Sequence, residues 1–350
     1  MLKYLEKKHI KTRIDESVFM IDTSVIALGY AVSIMATVMM YFLFKSSSPN
    51  EQVVYIGQYP PKLYKYMRLT AFTMLPAFAC LGALVFFRFG APYAFIVVGI
   101  GAIIPGIFGY LLERQAALVD KNYPSFLKAL GENLASTSDL KTSLNFILHM
   151  ELGPLRKYVS SALSRVKLEI NYRQALETLS EEAASYHVHM SNKILLDSLS
   201  RGADPLKIGN ALGNRVVKFL ELRKMRDVVA NSFQMVVLIT QPLVVVLLTV
   251  LEVLAVFMSQ YLAGTSGVST FSFNTMPVWL IQIGNMIIIF VMAIVNAWTV
   301  KAVSGGYWGT FFLNLGILLA ISGVAGIVSK ELIESVFNAM PSLNLPSATG

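Results

Sequence analysis

Glu252 is the one acid in residues 231–329, a stretch whose only other charge is Lys301. A carboxylate among apolar residues is costly, so it usually faces protein or water and serves a function. The plain alternative is a place near the end of a long helix, or a protonated group hydrogen-bonded to a neighbour. Gln241-Pro242 comes earlier on the same run. Its proline removes one backbone bond and kinks the helix, either as a hinge or as a static bend. Just before that run Arg215, Lys218, Arg223, Lys224 and Arg226 crowd together. Such cations anchor a helix end at an anionic leaflet, at about 1 kcal/mol each. The same group also suits docking of an acidic partner. His187 and His189 flank Val188; on a helix they diverge by about 200°, so no shared metal is expected. The chain has no G-x-x-x-x-G-K-[ST] phosphate loop, nucleophile elbow, H-E-x-x-H pair or cysteine pair. No enzyme, no cofactor and no metal are expected.

These residues sit in a chain divided by charge. Residues 113–230 hold 30 of its 50 charged side chains, 17 basic and 13 acidic. Six apolar runs flank that stretch, at about 24–44, 69–88, 92–112, 231–260, 278–300 and 307–328. A spanning helix needs about 20 such residues, whereas barrel strands would alternate over about ten. The fold expected is therefore all-α, a polytopic helical membrane protein with about six spanning helices. The divisions are 1–112 with three spans, a polar helical domain over 113–230, three more spans over 231–329, and a short tail over 330–350. Glycines 99, 101, 106, 109, 316, 323 and 326 fall within the spans, where small residues let helices approach closely. The net charge of +8 reads as positive-inside bias beside membrane lipids, not as nucleic-acid binding.

Inside 113–230 the apolar residues recur at helical spacing. Leu155, Tyr158, Val159, Ala162, Leu163, Val166 and Ile170 form one stripe; Tyr123, Phe126, Leu127, Leu130 and Leu134 form another. Pro124, Pro154 and Pro205 each suit a first helical turn, and Asp139 and Asp204 suit N-caps. The reading is a bundle of about six short helices. A turn followed by a small residue and Leu repeats three times, at Ser138–Leu144, Ile170–Leu176 and Gly202–Leu212.

That repeat, the basic helix Arg215–Arg226 and the long apolar run behind it resemble the type II secretion F domain. The resemblance covers about 120–330. The stretch from Lys301 through Gly305-Gly306-Tyr307 looks like the archaeal branch of that family. It implies a membrane platform protein of a type IV pilus-like filament, a pilus or an archaellum, with 113–230 in the cytoplasm and the chain in the cell membrane. It further implies a hexameric secretion ATPase and pilin-like filament subunits as partners, with the basic residues 215–226 as the ATPase contact. Many members carry two F domains. One domain here implies a homodimer or a paralogue pair. The usual turn glycines are replaced by Thr137 or Ser138 and by Ile170 or Asn171. The rival reading is a transporter or permease, which would place several polar residues and broken helices near the midplane.

Loop charges give sidedness to the second half. Residues 261–277 carry none and suit the outside; the turn with Lys301 suits the inside. Three early spans put the N-terminus outside, although the charges at 1–22 do not decide it. On a Cys80-free background, a cysteine at Ser269 should label from outside the cell and one at Ser164 should not. The reverse pattern would overturn this orientation.

Overall fold

The structure, a computed structural model, describes residues 24, 27–43, 45–46, 53–265 and 278–339. Every regular element among these residues is an α-helix. In order they are α1 (Ala27–Leu43), then α2 (Lys62–Phe89), α3 (Ala91–Thr137), α4 (Leu140–Ile147), α5 (Leu155–Lys167), α6 (Tyr172–Ala183), α7 (Tyr186–Leu199), α8 (Pro205–Thr265), α9 (Val278–Ser304) and α10 (Trp308–Ala339). Five of them, α2, α3, α8, α9 and α10, are long and apolar enough to cross a membrane. The architecture is that of a multi-pass helical protein. The sixth crossing expected near 24–44 appears as the shorter apolar helix α1. It lies along α9: the Tyr30 hydroxyl donates to Asn285 Oδ1 at 2.8 Å, and the Tyr41 ring stands 5.4 Å from Trp298. The start of α1 is therefore at the end of α9 away from the α9–α10 turn. The uncharged loop expected outside lies, from residue 266 onward, beyond the described residues. The expected tail is helical over its first part, because α10 continues to Ala339.

The chain does not pause at 113 or 230. α3 has 47 residues and α8 has 61, and each carries both apolar and charged sequence. Around their charged halves α4 to α7 close a core. Tyr123, Phe126, Leu127 and Leu130 of α3 meet Leu155 and Val159 of α5, Leu176 of α6, Leu195 of α7 and Val216 of α8. Both apolar stripes read from the sequence contribute to it. The polar atoms in this core are paired: Tyr123 Oη donates to Asn192 Oδ1 at 2.6 Å, and Asn192 Nδ2 donates to the Leu176 carbonyl at 3.1 Å.

Local signals set most of the helix ends. Asp139 caps α4, accepting from the Thr142 amide at 2.9 Å; the Thr142 hydroxyl and amide hold its carboxyl below the usual carboxylate range. Asp204 accepts from the Leu206 amide at 3.0 Å at the start of α8. Pro154 stands just before α5 and Pro205 opens α8. Pro124 departs from its expected place and lies inside α3. A proline there costs about 3 kcal/mol, and the fully buried Tyr123 and Phe126 on either side of it supply the packing that carries the helix through. The three repeated turns share one backbone feature, a residue with positive φ: Ser138 at 55°, Glu169 at 61° and Gly202 at 77°. In the second turn the left-handed residue is thus Glu169, one position before the pair expected to stand in for glycine.

In the apolar half, α10 lies antiparallel against α3 at backbone contact. A Cβ added to Gly109 would meet Gly309 Cα at 2.2 Å, and one added to Gly99 would meet the Ala320 nitrogen at 2.8 Å. Substitution of Gly109 by Ala should lower the midpoint of thermal unfolding in detergent, at a cost of about 1–3 kcal/mol for overpacking. Gly29→Ala, at a position with open space around it, should leave the midpoint unchanged. Equal midpoints for the two variants would mean that α3 and α10 separate freely.

Candidate functional site

The apolar part of α3 ends at Leu112, and the next residue is Glu113. Its carboxylate meets three elements. Oε1 accepts from Arg223 Nη2 of α8 at 3.3 Å. Oε2 accepts from the Tyr307 amide at 3.1 Å and from the Thr310 hydroxyl at 2.5 Å. Glu113 therefore ties α3 to α8 and to the α9–α10 turn at once.

Two turns further along the same face of α3 stands Asp120, which is fully buried. Its Oδ2 lies 3.7 Å from Arg223 Nη1, and its Oδ1 accepts from the Ser185 hydroxyl. Neither Asp120 Oδ2 nor Arg223 Nη1 makes a hydrogen bond among the described residues. One guanidinium, its side chain only 14% exposed, thus serves two acids. Removing one partner of such a buried group leaves an uncompensated charge and costs about 3–5 kcal/mol.

Ser185 is the N-cap of α7, accepting from the Val188 amide at 3.2 Å. Its backbone also meets an extended strap, residues 53–59, from the connection between α1 and α2. Val54 and Ser185 form an antiparallel bridge. The Tyr55 amide donates to the Ala184 carbonyl and the Tyr186 amide to the Val53 carbonyl, both at 3.1 Å. The Tyr59 amide donates to Glu181 Oε2 at 3.0 Å. The Tyr55 ring stacks on His189 with centroids 3.7 Å apart. Val53, Val54, Leu112 and Ala184 form a small apolar cluster that also touches Tyr307, and the Ser185–Asp120 contact is buried.

The residues picked from the sequence distribute unevenly about this junction. Arg223 belongs to it and is turned inward, not toward a partner. Arg226 is half-buried, near Gly305 of the α9–α10 turn. Arg215, Lys218 and Lys224 are exposed, with the Arg215 guanidinium 5.5 Å over the Phe219 ring. Lys301 packs between Trp298 and Trp308, at 4.8 and 3.9 Å from their centroids. Glu252 lies at the other end of the helices. It is half-buried and lines a cavity of about 510 Å³ with Gly90, Tyr93, Gln282 and Lys330. Pro242 is inside α8, which continues past it. The preceding Gln241 is held on two sides, donating to the Ser322 hydroxyl at 3.3 Å and accepting from Asn296 Nδ2 at 2.8 Å. These bonds tie the residue before the proline to α9 and α10. His187 and His189 diverge as expected, to Phe219 and to Tyr55. No group of three metal-ligating side chains occurs among the described residues.

Glu113, Asp120 and Ser185 were not singled out from the sequence. Glu113 and Asp120 are seven residues apart, which puts two acids on one helix face, and that spacing was a usable signal. Nothing near Ser185 in sequence points to α3. Comparisons with protein-family models, with curated proteins and with solved structures find no match to this chain.

The strap contact gives a pH dependence. Burial lowers the His189 pKa from its ordinary value and nearby Lys193 adds to this, while Glu177 and Glu181 oppose it. The unfolded chain therefore binds more protons than the folded one just below the ordinary value of about 6.5. Stability is full above that value and falls as the pH drops through it toward the lowered folded pKa. The protection factors of the amides in 53–59, corrected for intrinsic exchange, should fall as the pH drops below about 6.5. Replacing His189 with Gln should remove that fall; an unaltered pH profile in that variant would exclude His189 as its source.

Proposed function

We propose that the chain is the membrane platform of an archaeal type IV pilus-like filament machine, with the bundle of α4–α7 and the charged halves of α3 and α8 in the cytoplasm. The observation that carries this reading is the continuity of α3 and α8. At 1.5 Å per residue, helices of 47 and 61 residues are about 70 and 90 Å long. Both are shared by the bundle and the apolar layer. A push on the bundle would reach the bilayer with no flexible linker in between, as coupling of a hexameric secretion ATPase to pilin-like subunits in the cell membrane requires. The sequence features described above supply the choice of family. The single bundle motivates a homodimer or a paralogue pair, and a two-fold homodimer is the simplest closed assembly.

In this proposal Arg215 and Lys218 are the ATPase-facing cations, because both are exposed on the charged half of α8. Arg223 is left out, since its charge is already engaged by Glu113 and Asp120. The permease alternative draws on the buried amides of the apolar half. Gln234 Nε2 donates to Asn314 Oδ1 at 3.2 Å, and Asn285 Nδ2 to the Leu248 carbonyl at 3.2 Å. Apart from Asn314 Nδ2, which has no partner among the described residues, these amide groups bond to one another or to backbone across helix interfaces, an arrangement suited to gluing helices together. That weighs toward the platform.

The test is the double variant Arg215→Glu, Lys218→Glu at normal membrane levels. Like-charge contacts at an interface cost several kcal/mol, so co-purification of the ATPase should fall by about tenfold or more and filament counts with it. Membrane insertion should persist, because Lys224 and Arg226 still mark the bundle end. Undiminished ATPase binding with normal filaments would leave these two residues as lipid anchors only.

A further inference from the structure

We propose that Ser185, Asp120, Arg223 and Glu113 form a latch that couples the strap on the α6–α7 turn to the α9–α10 turn, so that neither can shift without loosening the other. This does not depend on which partner the bundle meets. The chain of contacts begins and ends on backbone. At one end the strap pairs with Ala184 and Tyr186 through two amide–carbonyl bonds, and the residue between them, Ser185, sends its hydroxyl to Asp120. At the other end Glu113 accepts from the Tyr307 amide and the Thr310 hydroxyl. Arg223 joins the two acids.

The lengths explain why these contacts act together. A guanidinium hydrogen bond to a carboxylate is ordinarily about 2.7–2.9 Å. Arg223 stands at 3.3 Å from Glu113, in a long hydrogen bond, and at 3.7 Å from Asp120 without one, held between the two and closed tightly on neither. It therefore has two closer arrangements available, one on each acid. If Ser185 withdraws its hydroxyl, Asp120 is short of a donor and draws Arg223 toward itself. Glu113 then loses the cation that orients it against Tyr307. If Glu113 loses its charge, Arg223 closes on Asp120 and competes with Ser185, which frees the strap. A buried charge makes the exchange steep, because water is not there to take up the slack. The elements so joined are the α1–α2 connection, α3, the α6–α7 turn, α8 and the α9–α10 turn.

The experiment is native-state hydrogen exchange on the full chain in nanodiscs, resolved to peptides that contain Tyr55, Tyr186 and Tyr307. Ser185→Ala should raise exchange at Tyr307, and Glu113→Gln should raise it at Tyr55 and Tyr186. Each cross-effect should be about fivefold or more, the ordinary range for coupling between sites. The double variant should show less than the product of the single effects at either end. Asp139→Ala, which uncaps α4 away from the chain of contacts, should change neither end. If a single variant fails to fold, Thr310→Val decides the matter. It removes one hydrogen bond from Glu113 and no charge, so Glu113 draws Arg223 away from Asp120, and exchange at Tyr55 and Tyr186 should fall, opposite in sign to the effect of Glu113→Gln. Loosening confined to each variant's own neighbourhood would overturn the latch and leave two separate polar contacts.

Discussion

Hydrocarbon gives a backbone N–H or C=O no partner except its own helix. α3 and α8 obey that constraint for much longer than a bilayer asks, and the organisation of the molecule follows from it. Because the two helices leave the apolar layer without a break, the polar bundle has no interface of its own with the membrane helices. It is assembled on them. Tyr123 to Leu134 of α3 and Leu212 to Val216 of α8 are at once bundle core and extensions of the apolar helices. At the crossing of the two, a Cβ on Gly131 would meet Gly209 Cα at 3.0 Å, so the helices stay in backbone contact within the bundle.

Where apolar sequence turns polar, the structure concentrates its buried charge. Coulomb attraction is strong in a medium of low dielectric, but so is the cost of drying each ion. The arrangement of Glu113, Arg223 and Asp120 reduces that cost by letting one cation answer two anions, with two hydroxyls and a backbone amide as further donors. Arg is suited to this because its planar fork offers separate N–H groups to each acid, which a lysine ammonium on a flexible stem would not hold in place. Exposed pairs such as Arg173–Asp197 lie in water and contribute little by comparison.

Much of the helical pattern was legible in the sequence. The apolar runs from 69 onward, the two stripes in the bundle, the caps at Asp139 and Asp204, and the divergence of the two histidines all follow from local periodicity and side-chain chemistry. Three features did not follow. Pro124 read as a helix start because its local preference is plain, while the packing that overrides it comes from α5 to α7. Arg223 read as one of five surface cations, since sequence spacing cannot tell which of them meets an acid on another helix. The strap was invisible because Val53 to Tyr59 carry no helical period, and their partners lie in the α6–α7 turn. Glu252 was singled out because it is the lone acid in its run, yet height along a helix is poorly fixed by composition. Its neighbours Gly90 and Lys330 place it at the far end.

The glycine face of α3 carries a cost in time. Glu113 and Tyr307 are 194 residues apart in sequence. At a synthesis rate of about 5–20 residues per second, α10 emerges roughly 10–40 s after α3. Throughout that interval Gly99, Gly106 and Gly109 present a groove shaped for another helix backbone while the ribosome is still making the bundle. The growing chain must be kept apart from other small-residue helices until its own last long helix arrives. Closure of α3 against α10 is thus a late step in biogenesis, and the buried ion cluster beside it can form only then.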